Sequence, residues 1–161
     1  MQDKHRLRSA TANTIRRAPW IAITARWFYR LLQARFSAGV VAVILNTNGE
    51  VLLVEHVFHP YHPWGLPGGW VDRHEDPADT LLRELREELE LQIEVGPVLL
   101  VKVDHGNHID MAYLCQPVGP IGTLSGELLG YRWQRPDSLP RLQPFHFRAV
   151  QRALELTARH A

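Results

Sequence analysis

Three glutamates lie close together at positions 84, 87 and 88, in a segment that reads Arg-Glu-Leu-Arg-Glu-Glu from residue 83. Residues three and four apart share a face of an α-helix, so these carboxylates are expected to crowd together. They also fall near the C-terminal end of the helix predicted for residues 77–90, where the helix dipole disfavours negative charge. A segment selected for stability alone would avoid this arrangement. Because Mg²⁺ prefers carboxylate oxygens, the pattern predicts a divalent-metal site.

The residues before these glutamates complete a longer motif. Five residues separate Gly69 from Glu75, and seven more separate Glu75 from Arg83. This spacing resembles the signature of the Nudix hydrolases, which cleave a nucleoside diphosphate linked to another group with the help of Mg²⁺ or Mn²⁺. The motif runs from Gly69 to Leu91, and Glu90 stands where the family usually has glycine. The alternative is a solvated helix with ion pairs between residues four apart, which the upstream glycine and Glu75 disfavour.

The resemblance implies a role for each motif residue. The implied ligands of Mg²⁺ or Mn²⁺ are the carboxylates of Glu84, Glu87 and Glu88 and the carbonyl of Gly68. The implied catalytic residues are Arg83, Glu84, Glu87 and Glu127, with Arg83 orienting the carboxylates through charge-assisted hydrogen bonds. The substrate-binding candidates are Gly69, Glu75, Trp64 and His108.

The general base is left open between several residues. In this family it is either a motif glutamate or an acid in a later loop, and Glu127 occupies such a loop. His105 and His108 lie in another polar loop, although loop histidines are more often ordinary surface residues. Aromatic residues near the expected cleft could stack on a nucleobase or belong to the core: Phe58, Tyr61, Trp64 and Trp70.

Glu90 is the one departure from the motif. Glycine at this position would let the helix end in a left-handed conformation without steric cost. With glutamate, the helix either continues for another turn or ends through a different cap. The departure removes none of the expected ligands, but the orientation of Glu88 depends on how the helix ends.

Length and hydrophobic periodicity predict the fold. A chain of 161 residues suits one core, and the single cysteine, Cys115, excludes a disulfide framework or a cysteine-based zinc site. Strands are predicted near residues 38–46, 51–57, 64–71, 94–104, 109–116 and 127–133, with helices at 77–90 and 144–159. The first two strands flank a turn signal and are expected to form a hairpin. We therefore predict an α/β fold, a Nudix-like α/β/α sandwich with a mixed sheet.

An N-terminal amphipathic helix is predicted to precede this domain, within a basic arm of residues 1–37 that leads into a catalytic domain of residues 38–161. Residues 1–38 carry eight lysines and arginines and one aspartate, a net charge of +7, whereas the remainder carries a net charge of −6. Apolar residues recur at helical spacing through residues 14–36, which favours packing against the domain or a second subunit. Contact with a membrane surface is the next interpretation. Nucleic-acid binding is the least favoured, since no reading module is evident.

The resemblance also implies a function. The expected reaction is metal-dependent hydrolysis of a phosphoanhydride bond in a nucleoside diphosphate derivative, such as a nucleotide sugar, ADP-ribose or a nucleoside triphosphate. A non-catalytic nucleotide-binding or membrane-docking module of the same fold, or an RNA-end pyrophosphohydrolase, is the alternative. A homodimer in the cytoplasm, either free or at the periphery of a membrane, is expected to carry this activity.

Overall fold

A computed structural model describes residues 19–58, 61–104 and 106–159. The chain forms two compact units that divide between Arg35 and Phe36. The first unit contains helix α1, Pro19–Leu32. The second contains the strands β1 Ser37–Ile44, β2 Val51–His56, β3 Trp64–Gly65, β4 Gly68–Trp70, β5 Gln92–Asp104, β6 His108–Val118 and β7 Leu128–Gln134, and the helices α2 Pro77–Leu89 and α3 Pro144–Ala158.

Strands β4, β1, β6 and β5 form a four-stranded sheet in that order. Strand β1 runs parallel to β6 and antiparallel to β4, and β5 runs antiparallel to β6. The predicted mixed sheet is therefore confirmed. A second sheet, β3-β2-β7, is antiparallel throughout and was not predicted.

The predicted hairpin between the first two strands is wrong, because β1 and β2 belong to different sheets. An isolated bridge between Leu45 and Val51 joins their ends. The turn itself is present: the Gly49 N–H donates to the Asn46 carbonyl over 3.0 Å, and Gly49 has a positive φ of 75°. The turn residues show where the chain reverses, but both strands are apolar on both faces. Apolar character therefore could not show which neighbours each strand pairs with.

The two faces of β1 and β2 pack against different helices. Val40, Ala42 and Ile44 of β1 share a buried core with Leu85 and Leu89 of α2. Residues on the opposite face of the two strands share another core with α3: Val43, Val51, Leu53, Ala149 and Val150. Successive residues of a strand point to opposite faces, so each strand contributes to both cores. The result is the expected α/β/α sandwich.

Helix α1 carries the apolar stripe that the sequence predicts. Trp20, Trp27 and Phe28 have exposed side chains, and the charged residues Arg26 and Arg30 alternate with them. The predicted residues 14–18 of this helix lie outside the described residues. Within the described part of the chain, no helix is long and apolar enough to cross a membrane.

Candidate active site

An acidic cleft of about 390 Å³ is lined by strand β4 and helix α2. Its lining combines the end of strand β2, strand β4, helix α2 and three loops: His56, Phe58, Gly68, Gly69, Trp70, Asp72, Arg83, Glu84, Glu87, Glu88 and Glu127. Five of these residues are acidic and one is basic. The cleft thus gathers the three predicted metal-binding glutamates, Arg83, both glycines and Glu127.

The two glycines of β4 are needed because other groups approach their backbone closely. Gly68 has a φ of 149°, and a Cβ there would overlap the Val40 carbonyl of the adjacent strand β1. A Cβ on Gly69 would overlap the carboxylate of Glu84. Only glycine allows both approaches, so β4 lies against β1 on one side and against the acids of α2 on the other.

Gly69→Ala is expected to lower turnover by about 10- to 100-fold while leaving the fold intact, since a small misplacement of a catalytic group is costly. The added methyl meets the end of a flexible side chain, so the Glu84 carboxylate must move out of its position. Steady-state kinetics and thermal melting of the variant test this. Gly130→Ala is the matched control, because a Cβ at Gly130 meets no atom within 4 Å. Equal activity of the two variants would contradict the prediction.

Arg83 links the acids of the site. Its Nε and Nη2 donate to the two carboxylate oxygens of Glu75 at 2.9 and 3.0 Å. Its Nη1 donates to Glu84 at 2.9 Å and to Glu87 at 3.4 Å. A planar guanidinium suits such paired contacts, and these partners raise the pKa of Arg83 above its ordinary value, Glu75 contributing most. Arg83 therefore fixes two cleft glutamates relative to Glu75.

Glu75 is held as a charged anchor for this arrangement. It also accepts hydrogen bonds from the Thr80 hydroxyl at 2.8 Å and from the Asp72 N–H at 3.2 Å. Hydrogen bonds from Arg83, then from Thr80, lower the pKa of Glu75 to about 2. Glu75, a substrate-binding candidate from the sequence, does not belong to the cleft lining, and its hydrogen bonds with Arg83 connect it to the cleft.

The three clustered glutamates have very different surroundings. The Glu87 side chain is 61% exposed and that of Glu84 is 17% exposed. Glu88 is only 6% exposed, although helical spacing placed it on a polar strip. Burial raises the pKa of Glu84, and burial followed by the charges of Glu84 and Glu127 raises the pKa of Glu88 to about 7. Glu88 is thus a buried carboxylate beside like charges, and a backbone hydrogen bond from Gly68 only partly offsets the rise in its pKa.

Glu88 also shows that the site suits a cation. Its buried Oε2 has no hydrogen-bond partner within the described part of the chain. Groups of three or more metal-binding side chains already gathered around one point do not occur among the residues that the structure describes. The cleft therefore offers oxygen ligands without a preformed cage. That donor set fits Mg²⁺ or Mn²⁺, since Mg²⁺ is usually bound by few carboxylates and completes its shell with water and phosphate.

A second cavity of about 320 Å³ adjoins the acidic cleft and shares His56, Gly68, Gly69 and Trp70 with it. Its other lining residues come from β1, β5, β6, the start of α3 and the interior: Gly39, Val40, Val41, Leu66, Asp104, His108, Asp110, Met111, Gln143, Phe145 and His146. The exposed Trp70 ring lies 4.7 Å from the His108 ring. The cavity therefore has an aromatic wall beside polar groups.

His108 is held in this wall by two polar neighbours. Its Nδ1 lies 2.8 Å from the Ser37 hydroxyl and its Nε2 lies 3.2 Å from Asp110. A Cβ on Gly39 would come within 3.1 Å of the imidazole, so the glycine leaves room for the ring. Both ring nitrogens have fixed partners, which orients His108 toward the cavity that it lines.

Comparison with known proteins agrees with this geometry. A family model described as the NUDIX domain matches residues 35–153. The chain belongs to the Nudix family. It is 33% identical over 81 residues to an RNA pyrophosphohydrolase from Psychrobacter cryohalolentis, a match that covers 50% of this chain and 38% of the relative's length.

Two solved structures share the Nudix fold with this chain. An ADP-ribose pyrophosphatase from Streptococcus suis is 26% identical, with a TM-score of 0.65, over 79% of this chain and 94% of the other. A MutT NUDIX hydrolase from Burkholderia pseudomallei is 27% identical, with a TM-score of 0.64, over 74% of this chain and 98% of the other. Both likenesses extend well beyond the Nudix motif.

The helix of the Nudix motif ends where a glycine would end it. Helix α2 stops at Leu89, and Glu90 adopts the left-handed conformation with φ 47° and ψ 29°. The Glu90 N–H donates to the Arg86 carbonyl over 3.1 Å. Both alternatives expected from the sequence, a longer helix and a different cap, are wrong, because Glu90 itself adopts the left-handed conformation that glycine would supply. The helix end therefore keeps Glu88 in the last helical turn.

Some candidate residues lie outside the acidic cleft of this Nudix fold. Trp64 lines neither cavity, and its ring lies under the Arg132 guanidinium at 4.0 Å. His108 lines the second cavity, and Tyr61 lines neither. His105 lies outside the described residues.

Sequence reasoning missed several lining residues of the second cavity. Asp110 follows His108 by two positions on one strand, so strand alternation could have placed both on one face. Gln143 and His146 carried no such signal, because they are distant in the chain from the motif.

Proposed function

We propose that this Nudix protein hydrolyses a phosphoanhydride bond in a nucleoside diphosphate derivative, using Mg²⁺ or Mn²⁺. The observation that supports this most is the pairing of two cavities across Gly68, Gly69 and Trp70. One cavity is acidic and suits a cation with phosphates. The other has an aromatic ring and fixed polar groups, which suits a nucleobase, and its volume is in the usual range for a small-molecule site.

The residues of the acidic cleft then have distinct roles. Glu84, Glu87 and Glu88, with the carbonyl of Gly68, hold the cation. When bound, the cation neutralises phosphate oxygens and lowers the pKa of a water molecule. Arg83 keeps Glu84 and Glu87 in place through the hydrogen bonds described above.

Glu127 is our choice for the general base. Its side chain is exposed at the cleft. In contrast, Arg83 donates hydrogen bonds to carboxylate oxygens of Glu84 and Glu87, and Glu88 is buried away from solvent. A carboxylate with access to solvent can take a proton from the attacking water and pass it on. In this assignment the carboxylate oxygens of the motif glutamates coordinate the cation and do not accept the proton.

The relatives suggest which substrates to try. One relative is named for RNA and one structural neighbour for ADP-ribose. A panel of ADP-ribose, nucleotide sugars, nucleoside triphosphates, dinucleoside polyphosphates and RNA with a 5′-triphosphate is assayed for phosphate and nucleotide release. Each reaction is run with Mg²⁺, with Mn²⁺ and with a chelator.

Turnover of one substrate class that requires the divalent ion supports the proposal. An absence of turnover for every member, in protein that binds the ion, contradicts it and favours a nucleotide-binding module of the same fold. If RNA alone is turned over, a steep loss of affinity with salt is expected, since phosphate contacts dominate such binding.

Trp70→Ala is expected to raise the KM of the preferred nucleotide about tenfold with a smaller change in kcat. The Trp70 ring is 65% exposed and lies in the wall that the two cavities share, so it is available for stacking on a base. Phe147→Ala is the control, because Phe147 is an exposed aromatic residue of α3 outside both cavities. An unchanged KM in Trp70→Ala would rule out stacking on this ring.

Homodimer formation, a cytoplasmic location and membrane-surface contact through residues 14–36 stay predictions from the sequence. A substrate-binding role for Trp64 also stays a prediction from the sequence. The contact of its ring with Arg132 favours a structural role instead.

A further inference from the structure

We propose that Glu90 is a positioning residue that fastens the loop of residues 119–127 to the end of helix α2 and so sets Glu127 in the acidic cleft. The proposal rests on the proposed function, in which Glu127 acts on the attacking water. It assigns a role to the residue that replaces the usual glycine of the motif.

The backbone at Glu90 gives the first reason. Its φ of 47° and ψ of 29° lie in the left-handed region, which glycine adopts freely and a glutamate adopts only at a cost in free energy. Glycine would therefore serve the cap better than glutamate does. A side chain kept at such a position is expected to make a contact whose contribution offsets that cost.

The Glu90 side chain makes such a contact with the loop. Its Oε2 accepts a hydrogen bond from the Thr123 N–H over 3.0 Å. The Gly122 backbone lies so close to the Glu90 side chain that a Cβ on Gly122 would overlap it. The carboxylate thus lies against the loop backbone, in a space that the loop leaves by having glycine at 122.

Two backbone hydrogen bonds continue this attachment along the helix end. The Gly122 N–H donates to the Leu89 carbonyl over 2.9 Å, and the Ser125 N–H donates to the Glu88 carbonyl over 2.9 Å. The loop is therefore bonded to three consecutive residues of the motif. Among these three hydrogen bonds, the bond from the Thr123 N–H to Glu90 is the one whose acceptor is a side chain.

The attachment leads directly to Glu127. The Glu127 N–H donates to the Ser125 hydroxyl over 3.3 Å, and the Glu127 carbonyl accepts from the Val57 N–H over 3.0 Å. The Glu127 side chain then lines the cleft beside the motif glutamates. Release of the loop at Thr123 is expected to loosen Ser125 and, through it, Glu127.

Glu90→Gly separates this role from simple helix capping. As a cap, glycine relieves the left-handed strain, so the melting temperature is expected to stay the same or rise. If Glu90 is a positioning residue, loss of its carboxylate is expected to reduce kcat about 10- to 100-fold with little change in KM. Glu90→Gln keeps an oxygen acceptor for Thr123 and should recover most of the lost kcat. Glu155→Ala, on an exposed glutamate of α3, is the control.

Hydrogen–deuterium exchange on the full chain tests the attachment without any assay of activity. The amides of Gly122 and Thr123 are expected to exchange about tenfold faster or more in Glu90→Gly than in wild type, and to be restored in Glu90→Gln. Unchanged exchange would overturn the proposal, whatever the kinetics show. If exchange changes while no substrate is turned over, the attachment stands and the proposed function fails.

A double-mutant cycle tests whether the effect passes through Glu127. Glu90→Gly and Glu127→Gln, each measured alone, are expected to lower kcat, and the double variant should be little worse than Glu127→Gln alone. If the fold-losses in kcat of the two single variants multiply in the double variant, Glu90 acts independently of Glu127. That result would overturn the role assigned to Glu90.

Discussion

Glu88→Gln is expected to lower metal-dependent turnover by about a thousandfold, the equivalent of several kcal/mol of transition-state stabilisation. Glutamine keeps the size of the side chain and removes its charge. In wild type, the buried Oε2 has no hydrogen-bond partner among the residues that the structure describes, and the cation that we propose would supply one. Rates at saturating substrate, measured over a range of Mg²⁺ concentrations, test the expectation.

Glu94→Gln supplies the matched control, since Glu94 is an exposed glutamate of β5 outside the cleft. That variant should keep the turnover of wild type. A Glu88→Gln variant that retains more than about a tenth of the wild-type rate would exclude Glu88 as an important metal ligand.

In the absence of divalent ions, the same substitution is expected to stabilise the protein by about 2–3 kcal/mol above pH 7. The pKa of Glu88 is raised from 4.5 to about 7, so the native protein holds this proton up to a higher pH than the unfolded chain does. Below pH 4.5 both states are protonated and Glu88 carries no penalty. Between pH 4.5 and 7 the stability of wild type falls as pH rises, and above pH 7 the full cost is present.

Urea unfolding of wild type and Glu88→Gln, in chelator at pH 4, 6 and 8, measures this difference. The two free energies of unfolding should nearly agree at pH 4 and separate as the pH rises. Addition of Mg²⁺ should stabilise wild type much more than the variant, because the variant lacks one of the proposed carboxylate ligands and is expected to bind the ion more weakly. A constant difference at all three pH values would show that Glu88 titrates normally.

The parts of this molecule that depend on local spacing were predictable. Helix α2 and the gathering of Glu84, Glu87 and Arg83 follow from the distances between residues along one helix, and the structure has them together. The motif includes Gly69, and the close contacts of Gly68 with Val40 and of Gly69 with Glu84 give the physical reason for glycine at both positions.

Other features depend on contacts between distant segments, and no local pattern contained them. The burial of Glu88 is one, because the helical wheel shows only which residues share its face and not what packs against that face. The second sheet is another, since β2 pairs with β7 across a long stretch of sequence. His146, whose Nδ1 accepts from the Leu66 N–H over 3.1 Å, enters the second cavity in the same non-local way.

The acidic cleft has a consequence for the form in which a nucleotide can be bound. Its lining carries five carboxyl groups and one guanidinium, and that guanidinium is already bonded to carboxylates. A bare polyphosphate brings further negative charge and is repelled at this short range. A polyphosphate that arrives with its divalent counter-ions brings much less net negative charge. If the proposed function holds, the cleft is expected to select the metal salt of a nucleotide and to discriminate against the free anion before any chemistry begins.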